Sequence, residues 1–379
     1  MQPHEGRGLV TARLTSGPVL IIGTGLLGTS VGLALQPEVP VQLRDISPAG
    51  AALARDLGAG SLASPHAPPP HLVVVATPPD VTGAVVVAAL AEFPTAIITD
   101  VASVKHDIVT EVLTRAPAHA HRYVGSHPMA GRERAGAVGA DAALFVGRPW
   151  VVVPHPASSD TAINAVRALA VDVGAILHVL PAAEHDAAVA VISHVPQVIS
   201  SLLAARLAHA EPAALALAGQ GLRDTTRIAA SDPRLWTAIL ALNSREVSHV
   251  LRELQADLDT LVRALAAAAA TSPASPGTHG AINAVLAAGN LGVARIPGKH
   301  GGGRTHYGKL TVLVPDQPGQ LGRLFSDAGQ AGISIEDVQL EHASGKSMGL
   351  VLLSVLPAQV EPLAAALTER GWQILETEV

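Results

Sequence analysis

The 379-residue sequence predicts an α/β chain in three parts. A doubly wound, mostly parallel sheet comes first, an all-helical domain follows, and a small α+β unit of βαββαβ order ends the chain. Three observations predict this. Short β-branched runs alternate with Ala-rich helical stretches up to about residue 181. From 182 to 209 and from 235 to 268 the β-rich runs stop and apolar residues recur at helical spacing. Beyond a Gly-rich segment, strand and helix patterns alternate again over 309–379.

Residues 1–17 read as a loose tail, and MQPHEGRGLVTARLTS lacks the apolar stretch of a signal peptide. PVLII (18–22) is the first strand, GTGLLG (23–28) turns into the helix SVGLAL, and VQLRD (41–45) is the second strand. A helix over 49–57 ends at Gly58. HLVVVATPP (71–79) is a strand stopped by Pro78 and Pro79. AIITDVAS (96–103), WVVVP (150–154) and AILHVLP (175–181) complete a front domain over 18–181. Residues 182–296 form the helical domain, with TSPASPGTHG (271–280) as a loop before a short helix over 281–296. Its Ala-rich helices leave apolar faces for a second copy to cover, so a homodimer is expected. PGKHGGGRTHYG (297–308) is a linker. In 309–379, KLTVLVP, ISIEDVQLEHA, SMGLVLLSV and WQILETEV are strands, while GQLGRLFSDAGQAG and PAQVEPLAAALTERG are helices.

Composition narrows the chemistry. A formal charge of −6 without a basic cluster argues against a nucleic-acid partner. The absence of cysteine removes disulfides, thiolate nucleophiles and Cys-ligated metals, and suits a cytoplasmic location. No run of eighteen apolar residues free of charge marks a membrane partner.

The glycines after the first strand stand where a dinucleotide fingerprint requires them, between a strand and a helix, as in a Rossmann fold. Gly23 allows the tight turn, Gly25 lets the backbone approach a pyrophosphate, and Gly28 lets the helix pack on the sheet. Leu26 and Leu27 open the helix whose N-terminus would receive the phosphates, and Thr77 is assigned to the same site. Asp45 closes the second strand, where a carboxylate accepts ribose hydroxyls and repels a 2′-phosphate, or serves only as a turn residue. NAD is therefore the expected cofactor, although Arg44 beside it is a residue type that can hold that phosphate.

Hydride transfer from an alcohol also needs a base, and the chain has 17 histidines. His127 in VGSHPMAG follows a β-rich stretch and suits proton abstraction at neutral pH, or is a packed or capping histidine. Ser103 and Lys105 in DVASVKHD follow another strand, and Ser103 either orients the base or substrate, or caps a helix. His185 and His194 are nine residues apart, on opposite sides of one continuous helix or far along it, and His185 beside Asp186 also reads as exposed polar surface. Arg223 and Arg227, with Asp224 and Asp232 nearby, form either a salt-bridge lattice or a carboxylate clamp.

Taken together, DVASVK (100–105), SHPMAG (126–131), EHDAAVAVISHVPQ (184–197) and GLRDTTRIAASDPRLW (221–236) resemble the prephenate/arogenate dehydrogenases of tyrosine biosynthesis, over nearly all of 18–296. LVPDQPGQLGRLF (313–325) resembles the turn and helix of an ACT domain. The resemblance implies NAD-dependent oxidative decarboxylation of prephenate to 4-hydroxyphenylpyruvate. It implies that His127 takes the proton of the C4 hydroxyl, that Ser103 assists near the nicotinamide, and that Arg227 clamps a substrate carboxylate with Lys105 as a looser charge. His185 and His194 become pocket residues. Gln197 stands where the family often has a second histidine, so arogenate is the alternative substrate. A non-catalytic regulator binding NAD and an amino acid is a further alternative. The ACT-like end implies an amino-acid effector, with tyrosine as the economical choice.

Overall fold

The computed structural model describes residues 13–132, 136–271, 276–297, 307–342 and 348–378. Residues 1–12 of the expected tail and 298–306 of the expected linker lie outside them. The chain divides into two compact units, one ending at Leu254 and the other beginning at Gln255. The division falls inside the helical stretch rather than at the Gly-rich segment.

The first unit opens with β1 (Val19–Ile22), α1 (Leu26–Leu35), β2 (Val41–Arg44), α2 (Pro48–Asp56), β3 (Ser61–Leu62), β4 (Leu72–Val75) and α3 (Pro79–Glu92). It continues through β5 (Ile97–Asp100), α4 (His106–Arg115), β6 (Tyr123–Pro128), β7 (Pro149–Val153), α5 (Asp160–Asp172) and β8 (Ile176–Val179). These strands make one sheet in the order β3-β2-β1-β4-β5-β6-β7-β8. The first six are parallel, whereas β7 runs antiparallel to β6 and β8 follows β7. The β-rich runs around 150 and 176 thus extend the sheet in the reverse direction.

Period-2 side-chain alternation gives the sheet two buried faces. Val19, Ile21, Leu43, Leu72 and Val74 pack under α1 and α5, against Val31, Leu35, Val166 and Leu169. Leu20, Val73, Val75 and Ile98 pack under α3 and α4, against Val86, Leu90, Ile108 and Val112. β4, LVVV, is buried along its whole length, as its unbroken β-branched run requires. The tail is shorter than its composition predicts. The backbone N–H groups of Leu14 and Thr15 donate to the Asp172 carboxylate, and the Arg13 guanidinium reaches the Asp172 carbonyl.

Next come α6 (Ala182–Val189), a π-helical turn (Ala190–His194) and α7 (Val195–Leu207). The short α8 (Pro212–Leu215) and α9 (Gln220–Thr226), a 3₁₀ turn (Arg227–Ala229), α10 (Pro233–Leu242) and α11 (Ser244–Thr271) follow. The run Ala182–Leu207 is long and apolar enough to cross a membrane, which the charge-free criterion did not register. Its polar members His185, Asp186, His194 and Gln197 are nevertheless buried, bonded to neighbouring loops and helices. The start of α11 joins this packing, with Val247, Val250 and Leu251 against Ala190 and Val195.

In the second unit, α12 (Pro276–Ala294) starts earlier than expected, so residues 276–280 are helical rather than loop. β9 (Gly308–Pro315), α13 (Gln320–Gln330), β10 (Asp337–His342), β11 (Met348–Val355), α14 (Val360–Glu369) and β12 (Gln373–Glu378) realise the βαββαβ order. Their antiparallel sheet runs β10-β11-β9-β12. Leu310, Val312, Leu353, Leu324, Leu363 and Trp372 form its core.

Arg122, just before β6, holds the C-terminal end of α3 in place. Its buried guanidinium donates to the carbonyls of Leu90, Phe93 and Ala96 at 2.7, 2.7 and 2.9 Å, satisfying groups that a helix end leaves free. Arg122→Met keeps much of the volume and removes all three bonds. We expect a loss of about 3 kcal/mol, read as a lower urea midpoint with an unchanged slope. An unchanged midpoint would show that α3 does not rely on this cap.

Candidate active site

Ligands of parallel α/β sheets bind outside the carboxyl ends of the strands, and the candidate residues of the front domain gather at that edge. After β1, Gly23 adopts φ +100, and a Cβ there would strike the Ala76 carbonyl. A Cβ on Gly28 would strike the Gly23 carbonyl, whereas one on Gly25 would meet nothing within 4 Å. Gly23 and Gly28 therefore serve the fold, and Gly25 leaves open space at the start of α1. No side chain caps that helix at Gly25, which suits an N-terminus that is to receive a pyrophosphate. Leu26 and Leu27 turn into the core beneath. Thr77 follows β4, its hydroxyl 3.0 Å from that of Thr82.

Asp45 follows β2. Its carboxylate accepts from the Thr24 N–H at 2.6 Å, the Thr24 hydroxyl at 2.9 Å and the Ser47 N–H at 2.8 Å. Burial raises its pKa, but these three donors outweigh burial and hold it below the usual carboxylate value. Arg44 turns away from this position. Its guanidinium forks onto Glu92 with two bonds of 2.8 Å and lies over the Phe93 ring. The cation that sequence left open as a 2′-phosphate ligand is thus engaged elsewhere. These residues fit a dinucleotide with free ribose hydroxyls.

Around β5 and β6 the site becomes a network of buried polar groups. His127 lies within β6, not after it, and is 8% exposed. Its Nδ1 is 2.9 Å from Nε2 of His185, and Nδ1 of His185 is 2.7 Å from the Asp186 carboxylate. That carboxylate also accepts the N–H groups of Lys105 and His106 at 2.9 and 2.8 Å. Asp186 is an acceptor, so His185 donates to it through Nδ1–H. With its proton on Nδ1, His185 presents Nε2 to His127 and accepts Nδ1–H from it. This leaves His127 Nε2 unprotonated and able to take a proton.

Burial, followed by the His185, Lys105 and His194 charges, pushes His127 well below the ordinary histidine pKa. It is therefore in its basic form at neutral pH. Burial raises the Asp186 pKa, but the His185 ring and the two backbone donors outweigh it and keep the group ionised.

Several sequence expectations change here. His185 and Asp186 are buried rather than exposed polar surface. His194 joins the same cluster, because Asn243 bonds both the Asp186 carbonyl and His194 Nδ1. In a regular helix nine positions subtend ~900°, half a turn out of register. The π turn contains one extra residue, which reduces that offset to roughly 80°. Lys105 is not a loose cation for substrate. It is wholly buried and its ammonium pairs with Asp100, whose carboxylate also accepts from Tyr123 Oη at 2.8 Å and the Ala102 N–H at 2.9 Å.

Ser103 lies half-buried on the same loop. Gln197 is buried, and its amide donates to the Ile228 carbonyl at 2.9 Å. Arg227, one residue earlier, is exposed on the 3₁₀ turn, as is Arg223 on α9. Of the nearby acids, Asp224 accepts from Gln220 and Asp232 caps α10. Sequence reasoning missed Asn243, which carries no local signal beyond its position at a helix end. It also missed the bridging role of Asp186, which only its adjacency to His185 hinted at.

Comparison with known proteins gives this arrangement a context. Residues 31–179 match the family model of the prephenate dehydrogenase nucleotide-binding domain, and residues 181–272 that of the prephenate dehydrogenase dimerization domain. The chain is 34% identical to "Probable prephenate dehydrogenase NovF" of Streptomyces niveus, over 93% of this chain and 98% of that protein. It is 31% identical to the cyclohexadienyl dehydrogenase of Zymomonas mobilis, over 65% and 88% of the two chains. Its fold is shared with the Aquifex aeolicus prephenate dehydrogenase solved with hydroxyphenyl propionate and NAD+. That match has a TM-score of 0.63 at 24% identity and covers 75% of this chain and 98% of that one. With both domain models matched in order and a 34% identical relative aligned along almost its whole length, the chain belongs to the prephenate dehydrogenase family.

Proposed function

We propose that this chain is an NAD-dependent prephenate dehydrogenase converting prephenate to 4-hydroxyphenylpyruvate. The observation that carries the reading is the His127–His185–Asp186 chain, which leaves a bare imidazole nitrogen at the carboxyl edge of a dinucleotide-binding sheet. NAD, when bound, accepts the hydride from C4 of the substrate. Gly25 and the start of α1 would hold its pyrophosphate and Asp45 its ribose. His127 Nε2 removes the C4 hydroxyl proton, and the positive charge it gains is stabilised through His185 by the buried Asp186 carboxylate. Loss of the C1 carboxylate as carbon dioxide then leaves an aromatic ring. Ser103 assists the hydroxyl contact. Arg227, whose planar fork suits a carboxylate, is assigned the substrate's carboxylate, with His194 and Gln197 in the pocket wall.

Homodimer formation is part of the same reading. Leu254, Leu258, Val262 and Leu265 are exposed at helical spacing along α11, and such a stripe is covered in water by a partner face. The C-terminal βαββαβ unit is read as ACT-like, with an amino acid, tyrosine first, as its effector. Gly319 in the left-handed region at φ +87 opens α13, giving the turn that the resemblance assigns to ligand.

NAD reduction by the purified protein, with prephenate and arogenate in parallel, tests the activity. Prephenate-dependent reduction is expected, and silence with prephenate would overturn the assignment. His127→Asn should lower kcat by about 10²–10⁴-fold with little change in KM, and near-normal turnover would remove His127 as the base. Because the base form exists above a pKa that lies below 6.5, kcat/KM should stay level from neutral pH down past 6.5 and fall only in more acid solution. An acid limb centred above 6.5 would contradict a buried neutral base. Calorimetry of the full chain should register tyrosine binding, and an absence of heat with tyrosine would count against this effector.

A further inference from the structure

Asn243, at the C-terminal end of α10, is a buried amide far in sequence from the site's histidines and Asp186. Its Nδ2 lies 2.8 Å from the backbone carbonyl of Asp186 and 3.0 Å from Nδ1 of His194. The carbonyl can only accept, so it determines which way the amide points. The opposite orientation would set the amide oxygen against the carbonyl oxygen. With the NH₂ group placed there, one hydrogen goes to Asp186 and the other faces His194, so His194 Nδ1 must be the acceptor. A neutral imidazole with a bare Nδ1 carries its proton on Nε2. Burial supports the neutral form, pushing His194 down to about 4. The Trp236 ring stands edge-on to His194 at 6.0 Å between centroids and restrains its rotation.

We propose that Asn243 is a positioning residue of the active site, holding His194 as the Nε2–H tautomer so that the pocket meets its substrate with a bare nitrogen on His127 and an N–H on His194. This inference rests on the prephenate dehydrogenase reading and deepens it. The two histidines are assigned opposite roles, His127 accepting a proton and His194 donating a hydrogen bond to an oxygen of the substrate. One residue sets both. The Asp186 carboxylate orients His185 and so His127, while its own carbonyl orients Asn243 and so His194. The complementary pair suits a substrate with a hydroxyl to be deprotonated and separate acceptor oxygens.

The test combines ring spectroscopy with kinetics on the full chain. Protein labelled with ring-¹⁵N histidine would be measured at neutral pH, and the His194 signals identified by their loss in His194→Gln. Protonated Nε2 with bare Nδ1 is expected, and a proton on Nδ1 would overturn the proposal. Asn243→Asp replaces the donor by an isosteric acceptor. It should move the His194 proton to Nδ1 or leave both nitrogens protonated, and raise KM for prephenate about tenfold or more with KM for NAD within about twofold. An unchanged His194 tautomer in this variant, or a changed tautomer with unaltered prephenate kinetics, would likewise overturn it. The wild-type spectra require no substrate, so they judge Asn243 separately from the prephenate assay.

Discussion

Asp186 on α6 binds two distant segments of the first unit directly, the start of α4 and the end of α10, and a third, β6, through His185. Its carboxylate accepts the backbone N–H groups that open α4 and the Nδ1–H of His185, and its carbonyl receives Asn243. A buried carboxylate is costly unless its lone pairs are filled. Here they are filled by the loop after β5, by helix α6 and, through His185, by His127 on β6. The requirement to satisfy one anion therefore aligns the sheet edge with the helical layer. Removing the Asp186 carboxylate would leave two backbone donors and the His185 imidazole unsatisfied together. Contributions within such a network are not separable pair by pair.

A second buried anion, Asp100, supports the floor of the site in the same way. Lys105, Tyr123 and the Ala102 N–H converge on it. Burial and the adjacent carboxylate push the Tyr123 phenol well above its ordinary pKa, which keeps the hydroxyl a donor. A Cβ on Gly125 would approach Lys105 Cδ at 3.1 Å and Tyr123 Oη at 3.2 Å, so the absent side chain leaves room for this triad. The loop carrying Ser103 is thus tied to two satisfied carboxylates, Asp100 and Asp186. Such support is what a site requires when its reacting groups must be held in place before substrate arrives.

Legibility in the sequence followed the range of the interactions. The strands at 19–22, 72–75 and 97–100 were readable because a strand buried on both faces is itself largely an apolar β-branched run. The glycine fingerprint was readable because each glycine answers a local steric demand. β3 is two residues long and β6 contains Gly, Ser, His and Pro, so neither carries a run pattern. His127 was consequently placed beside its strand instead of in it. Lys105 was misread for a related reason, since a lysine in a loop is usually solvated and only the position of Asp100 beneath it makes burial tolerable.

By itself, then, the sequence determined most of the order of elements, the nucleotide fingerprint and His127 as the proton acceptor to consider. The reason is that each depends on neighbours a few positions away. Only the tertiary structure decided which nitrogen of His127 is free, that His194 shares the cluster of His185, and that Asn243 belongs to the site. Those outcomes hang on a π turn and on hydrogen bonds spanning 58, 57 and 49 positions. Such distances are closed by the packing of a helical layer against a sheet edge, and no local pattern of residue types encodes them.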